Sequence, residues 1–143
     1  MLEPSTSGKL RPAKNAVTAS GVRGGLVFRV SQDEEYVELQ LRRGAQTVEL
    51  GARSHHYLLL LLARQRLKDA AAAEGPDTGQ GWLHTEELMA MLAVPETHLN
   101  VQIFRARKQF LKAGCGSELV PVERRPGAGL LRIGTDRLAI EAI

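Results

Sequence analysis

The segment from Leu99 to Leu111, LNVQIFRARKQFL, carries the side chains best suited to contact with a polyanion. Its apolar residues recur at helical spacing and predict one buried stripe, made of Leu99, Ile103, Ala106 and Phe110. The opposite side presents Arg105, Lys108 and Lys112, with Gln102 and Gln109 at its margin. Such a helix fits a groove lined with phosphates and base edges, although a segment of this kind, taken alone, is more often a solvated surface helix.

Positive charge is concentrated around this segment. The whole chain of 143 residues has a formal net charge of +3, whereas residues 99–132 contain seven basic and two acidic residues and so carry +5. An acidic stretch lies earlier and contains Asp33, Glu34, Glu35 and Glu38. This separation of charge indicates a polyanion at one surface of a small domain.

Composition argues against several other functions. No apolar run approaches the length of a membrane span, and the N-terminus lacks the hydrophobic region of a signal peptide, which favours the cytoplasm. The single cysteine, Cys115, excludes an internal disulfide and a cysteine-based zinc site. The sequence contains neither a Ser/His/Asp arrangement nor a glycine-rich phosphate loop. We therefore expect no enzyme activity, and no metal or organic cofactor.

The elements that position the basic helix are predicted from the apolar patterns around it. Residues 1–24 are rich in Ser, Gly, Pro and Ala and predict a disordered leader or linker, followed by one domain over 25–143. Strand patterns at 26–30, 36–42 and 47–50 predict a small antiparallel sheet with one wet face. At the C-terminal end, the core is expected to be closed by Leu138, Ile140 and Ile143.

The first predicted helix runs from a cap at Ser54 to about Lys68. It is apolar on all sides over Leu58–Leu62, so we expect it to be the central core helix. His55 and His56 lie at its start. Because neighbouring residues point in different directions on a helix, we expect these histidines to pack or to face solvent, and not to bind a metal.

A second, short helix and a tight turn precede the basic helix. After a flexible connection over 69–81, Trp82 is expected to join the core or cover the first helix. Thr85 is expected to cap a helix over 86–92, and Pro95 to be the first residue of the basic helix, which covers about 96–113. Gly114 and Gly116 stop that helix.

Two strand-like runs follow, at 119–124 and 130–133, separated by the turn-forming loop Arg125–Gly129. They predict a β-hairpin with a basic tip, within a wing of about 119–133. The complete order is strands, core helix, short helix, tight turn, basic helix and basic hairpin. This order is typical of a helix-turn-helix followed by a wing.

Residues 36–134 resemble the winged-helix effector domains of OmpR/PhoB-type transcriptional regulators of bacteria. The recognition helix of that family typically reads V-D-V-H-I-x-R-L-R-K-K-L, and residues 99–110 read LNVQIFRARKQF in the same register. The family wing typically reads R-G-x-G-Y-R-L, and residues 126–132 read PGAGLLR. The resemblance implies an α+β winged helix-turn-helix with an N-terminal antiparallel sheet, three helices and a C-terminal hairpin wing.

The resemblance also implies double-stranded DNA binding in transcription regulation, with the recognition helix in the major groove and the wing on the backbone. Base-facing positions would be Asn100, Val101 and Arg105, with Gln102 beside them. The remaining positions expected at DNA are Phe104, Arg107, Lys108, Lys112, Arg124 and Arg125. RNA polymerase and an upstream sensor domain are further candidate partners, and a membrane is not expected.

One departure from the family pattern supports a different function. Phe104 replaces a usually polar residue and, with Val101 and Leu111, adds apolar surface to the outer face of the helix. Patches of this kind are typical of protein contacts, so the alternative is a winged-helix protein–protein interaction module. If Phe104 instead packs under the wing or under Trp82, it no longer indicates a protein contact.

Overall fold

The computed structural model describes residues 24–72 and 80–143, which form an α+β fold with three helices and two sheets. The predicted leader before residue 24, and residues 73–79 of the predicted connection, lie outside the described residues. In chain order the elements are β1 (Gly24–Val30), β2 (Val37–Arg43), β3 (Gln46–Ala52), α1 (His56–Ala72), β4 (Leu83–His84), α2 (Thr85–Leu92), α3 (Glu96–Lys112), β5 (Val122–Arg125), β6 (Leu130–Ile133) and β7 (Leu138–Ala142).

The larger sheet contains the predicted antiparallel meander and one additional strand. Its strand order is β3-β2-β1-β7, in which β1, β2 and β3 are antiparallel neighbours and β7 runs parallel to β1. Alternation along the strands separates a buried face from a wet face, as the sequence predicts. The buried face of β1 and β2 includes Leu26, Phe28, Leu39 and Leu41. On the wet face, Arg29 lies between the carboxylates of Glu38 and Glu141.

The C-terminal strand closes the core only in part. Leu138 and Ile140 pack against the core, whereas Ile143 is 54% exposed, so the expected closing role of Ile143 is wrong. The ladder between β1 and β7 ends with the pair Val30 and Ala142. Ile143 lies one residue beyond that pair, and only its amide is held, donating to the Val30 carbonyl.

The central helix is α1, as the sequence predicts. Each residue of Leu58–Leu62 is at most 8% exposed, and α1 contacts both β2 of the larger sheet and β6 of the smaller one. This burial on all sides places the helix between elements that cover different faces of it. Among residues 24–72 and 80–143, no helix has the length and apolar character needed to cross a membrane.

The predicted start of α1 is one residue too early, and its predicted end is about four residues too early. Ser54 lies in a turn, and the helix begins at His56, so Ser54 is not next to the first helical residue. At the other end the helix continues beyond Lys68 to Ala72. Residues 70–72 are alanines, and alanine has the highest helix propensity, which explains the extension into the segment predicted as a connection.

The turn between α2 and α3 is as short as predicted, with shifted ends. Thr85 is the first residue of α2 and not its cap, because its hydroxyl donates to the Gly129 carbonyl, 3.1 Å away. Ala93 ends α2 with a left-handed φ of 56°. Pro95 precedes α3 as its N-cap residue, one position earlier than predicted.

The C-terminal end of α3 is fixed from the larger sheet. Gly114 has a φ of 91°, a conformation that favours glycine, so the helix stops where the sequence predicts. Arg43 at the end of β2 donates from Nη1 to the Gly114 carbonyl at 2.7 Å and from Nη2 to the Ala113 carbonyl at 3.3 Å. A cation at this end of a helix also interacts favourably with the helix dipole.

The smaller sheet has the strand order β4-β6-β5, and its β5–β6 hairpin is the predicted one with a shorter first strand. Residues 119–121 are outside β5, since Pro121 has no amide hydrogen for a ladder bond. A Cβ on Gly134 would overlap the carbonyl of Val120, so only glycine permits this approach. The base of the hairpin is therefore packed closely against the segment that leaves α3.

Candidate nucleic-acid interface

The inner face of α3 is the apolar stripe that the sequence predicts, with one addition. The buried residues are Leu99, Gln102, Ile103, Ala106 and Phe110. Gln102 is only 8% exposed, and its Oε1 has no hydrogen-bond partner within the described residues. The expectation that Gln102 lies beside the bases is therefore wrong. Its spacing of three from Leu99 and four from Ala106 places it on the buried stripe.

The outer side of α3 and the two faces of the adjoining strand β5 carry six exposed cations, here together called the basic surface. It consists of Arg105, Arg107, Lys108, Lys112, Arg124 and Arg125. None of the six forms an ion pair with another residue of the described part of the chain. Their charge is consequently available to an external anion.

Two hydrogen bonds join α3 to β5 within the basic surface. Arg124 donates from Nη2 to Asn100 Oδ1 at 3.3 Å, and Arg107 donates from Nη2 to the Val122 carbonyl at 3.3 Å. Partial burial lowers the pKa of Arg107, and repulsion from Arg124 lowers it further. Two guanidinium groups are thus held close together without a carboxylate between them, which concentrates positive potential at the junction of helix and hairpin.

The acidic residues nearest in sequence are engaged on other surfaces. Glu123 Oε1 lies 2.7 Å from Arg132 Nε and 3.9 Å from Arg66 Nη1. Glu118 Oε2 lies 3.6 Å from Arg43 Nη1. Because side chains alternate along β5, Glu123 and Arg124 project from opposite faces of the hairpin. Glu123 therefore does not neutralise the face that adjoins α3.

An apolar strip crosses the basic surface. Val101 is 43% exposed, Phe104 64% and Leu111 69%, and their spacings of three and seven place them on one stripe of α3. The idea that Phe104 packs under the hairpin or under Trp82 is thus wrong. Beside Leu111, a groove of about 290 Å³ opens between the end of α3 and residues 115–122.

Trp82 lies on the face of the hairpin that points away from α3. Its ring centroid is 4.5 Å from the guanidinium carbon of Arg125 and 4.5 Å from that of Arg132. Trp82 is half-buried and does not belong to the core cluster. The expectation that it joins the core is wrong, because the pairing of β4 with β6, continued by one residue, places it next to Arg132. The expectation that it covers α1 stays a prediction, and Gly81, the residue before it, lies against Arg66 of α1.

Sequence reasoning missed a polar cluster that joins α3 to α1 and the larger sheet. His55 is 5% exposed and His56 is fully buried, and their Nε2 atoms lie 2.7 Å and 2.9 Å from the same atom, Gln109 Oε1. Gln109 Nε2 donates to the Leu50 carbonyl at 2.9 Å. His56 Nδ1 lies 3.0 Å from the Val37 carbonyl. The side chain of Gln109 thus joins α3 directly to β3 and to the two histidines at the start of α1, and His56 continues the connection to β2.

The two histidines converge, contrary to the expectation that they diverge. His55 belongs to the turn before α1 and only His56 is helical, so the angular separation of neighbouring helical residues does not apply to them. Burial lowers the pKa of His55 and that of His56. In each case it outweighs the hydrogen bond to Gln109, which raises the pKa. The positive charges of Arg53 and Arg105 lower the pKa of His55 further.

We expect the protein to lose stability as the pH falls below 6.5, the ordinary pKa of histidine. Both folded-state pKa values are depressed, so the unfolded chain takes up protons first and unfolding becomes more favourable. The stability that the two neutral histidines contribute is fully present above pH 6.5. It decreases as the pH falls to their pKa values in the folded state. Urea unfolding at a series of pH values, kept above the range of the carboxylates, measures it.

His98→Gln is a matched control, because His98 is an exposed histidine of α3 outside the cluster. This variant should keep the full pH dependence, whereas His55→Gln should reduce it. A free energy of unfolding that stays constant from above 6.5 down to the carboxylate range would contradict the depressed pKa values.

Within the described residues, no group of three or more His, Cys, Asp or Glu side chains could hold a metal ion. The geometry brings together a set of unpaired cations, an apolar strip between them, and a hairpin that is hydrogen-bonded to the same helix.

Comparisons of the chain with models of known protein families, with curated proteins and with solved structures found no match.

Proposed function

We propose that this chain is a double-stranded DNA-binding module with a winged helix-turn-helix architecture. In this proposal α2 supports α3, α3 enters the major groove, and the β5–β6 hairpin is the wing that follows the backbone. The observation that carries the proposal is the basic surface, whose six cations are exposed and without ion pairs in the described part of the chain. The resemblance to bacterial effector domains favours a role in transcription regulation in the cytoplasm.

Individual residues take different roles in this proposal. Arg105 can donate two hydrogen bonds to a guanine, and Val101 can contact a thymine methyl group. Asn100 accepts from Arg124 through Oδ1, so its amide hydrogens remain free to donate. The other cations of the basic surface contact phosphates, which adds affinity without sequence information.

Selection of duplexes from a random-sequence library, followed by affinity measurements on two substitutions, tests the proposal. Arg105→Ala should reduce the preference for the selected duplex over a mixed-sequence duplex by about 1–3 kcal/mol, because a base contact is lost. Lys108→Ala should weaken binding to both duplexes alike, because a phosphate contact is lost. If the purified chain binds neither duplex, the proposal is wrong.

The apolar strip favours a second candidate function, recognition of a protein by the same face of α3. Phe104 and Leu111 are each more than 60% exposed, and large apolar side chains with this exposure often anchor protein interfaces. Phe104→Ala then separates the two candidates. It should leave DNA affinity within about threefold if the phosphate contacts dominate, and it should abolish binding to a protein partner.

A further inference from the structure

The hairpin carries two arginines at neighbouring positions that are held in different ways. Arg124 donates to Asn100 on α3, whereas Arg125 lies over the ring of Trp82, with 4.5 Å between its guanidinium carbon and the ring centroid. Strand alternation sends the two side chains to opposite faces of the hairpin. The hairpin thus presents one cation on the side of α3 and one on the far side.

The ring of Trp82 is itself held in place. Arg132 lies 4.5 Å from the same ring centroid. Arg132 donates from Nε to Glu123 Oε1 at 2.7 Å and from Nη1 to the Gln80 carbonyl at 3.1 Å, so its position is fixed from both ends of the guanidinium. Its side chain is only 14% exposed. Arg132 therefore supports the ring and has little freedom to reach an external ligand.

Arg125, unlike Arg132, has its guanidinium edge available to an external ligand. It is exposed, and Glu123, the carboxylate two residues earlier on the same face, is engaged by Arg132. No carboxylate pairs with Arg125 in the described part of the chain. A guanidinium that lies over an aromatic ring uses its flat face for that contact, and its N–H groups at the edge stay free for a phosphate.

The tip of the hairpin is also fixed against α2. The Gly129 carbonyl accepts from the Thr85 amide at 2.9 Å and from the Thr85 hydroxyl at 3.1 Å. The strand that carries Arg125, the ring beneath it and the tip beside it are therefore connected to one another and to α2. A side chain that is ordered before binding loses less conformational entropy when it binds.

We infer that Trp82 is a positioning residue that holds Arg125 ready to contact a DNA phosphate from the wing. The inference rests on the proposed function and deepens it, because it assigns a role to the side of the hairpin away from α3. Loss of the ring should weaken DNA binding by about two- to tenfold, the cost of ordering one long side chain. Loss of Arg125 should also lower the dependence of log affinity on log salt by about 1.

A double-mutant cycle on the whole chain tests this inference, with a mixed-sequence duplex as the probe. The variants are Trp82→Leu, Arg125→Ala and their combination, and the affinity of each is measured at several salt concentrations. Trp82→Leu should have no further effect once Arg125 is absent, because both changes remove the same contact. Arg124→Ala is the matched control, and in its background Trp82→Leu should have its full effect.

Two measurements keep the test valid if Trp82→Leu folds poorly. Trp82→Phe retains a ring and should restore most of the affinity lost with leucine. Trp82 is the only tryptophan of the chain, so Arg125→Ala should alter the tryptophan emission of the free protein. An unchanged emission spectrum would mean that Arg125 does not lie over the ring in solution, and the inference would be wrong.

The remaining outcomes distinguish the two proposals. Additive effects of Trp82→Leu and Arg125→Ala on DNA affinity would overturn the positioning role and leave DNA binding intact. A wild-type chain that does not bind the duplex at any salt concentration would overturn the proposed function, and this inference with it.

Discussion

Raising the salt concentration from about 50 to about 200 mM should weaken binding of this chain to duplex DNA about 500-fold. Five cations of the basic surface are assigned to phosphates, namely Arg107, Lys108, Lys112, Arg124 and Arg125. Each neutralised phosphate adds about −0.9 to the slope of log affinity against log salt, so five contacts give about −4.5. Titration by fluorescence anisotropy at a series of salt concentrations measures this slope.

Substitutions to glutamine provide matched comparisons, because they remove charge and keep most of the side-chain length. Lys112→Gln should make the slope shallower by about 0.9. Lys68→Gln removes an exposed lysine of α1, outside the basic surface, and should leave the slope unchanged. A wild-type slope between about 0 and −1 would rule out a phosphate-dominated interface of this size.

Gln109→Leu should lower the free energy of unfolding by at least about 2 kcal/mol, because it leaves two buried polar groups without a partner and each costs about 1–3 kcal/mol. The substitution removes the only hydrogen-bond donor to the Leu50 carbonyl that the described residues provide apart from the sheet ladder. It also removes Gln109 Oε1, which accepts from His55 Nε2; a neutral His56 has a single N–H and also faces the Val37 carbonyl, so it is not counted here. Urea unfolding followed by circular dichroism measures the loss.

Gln102→Leu is a matched control on the same helix. Gln102 is also buried, but its Oε1 already lacks a partner within the described residues, so leucine leaves no new group unsatisfied. We expect its free energy of unfolding to stay within about 1 kcal/mol of the wild type. Equal losses in the two variants would mean that the histidine cluster does not stabilise the fold.

Much of the architecture could be predicted because periodic patterns dominate it. The run Leu58–Leu62 indicates a helix buried on all sides, and alternation in β2 indicates one wet face. The position of β7 could not be predicted in this way. Its parallel pairing with β1 joins residues more than a hundred positions apart, and nothing in a local pattern identifies the partner of a strand.

In the candidate site, too, only the features that follow from a local pattern could be predicted. Arg105 and Lys108 are exposed where helical spacing places them, because one apolar stripe fixes the rotation of α3. Gln102 lies on the side opposite to the expected one, because it is at the edge of that stripe, where polarity and spacing disagree. The contacts of Gln109 and Trp82 join side chains from separate elements, and the sequence around each residue carries no trace of them.

The parallel pairing of β1 and β7 has a mechanical consequence. A chain pulled at residues 24 and 143 would draw β1 and β7 past each other along their length. The ladder from Leu26 and Leu138 to Val30 and Ala142 would then be loaded in shear, with all of its hydrogen bonds bearing force together. In the β5–β6 hairpin, force applied across the open end would break the bonds one after another. A domain tethered through both of its terminal strands therefore resists tension where the two strands meet.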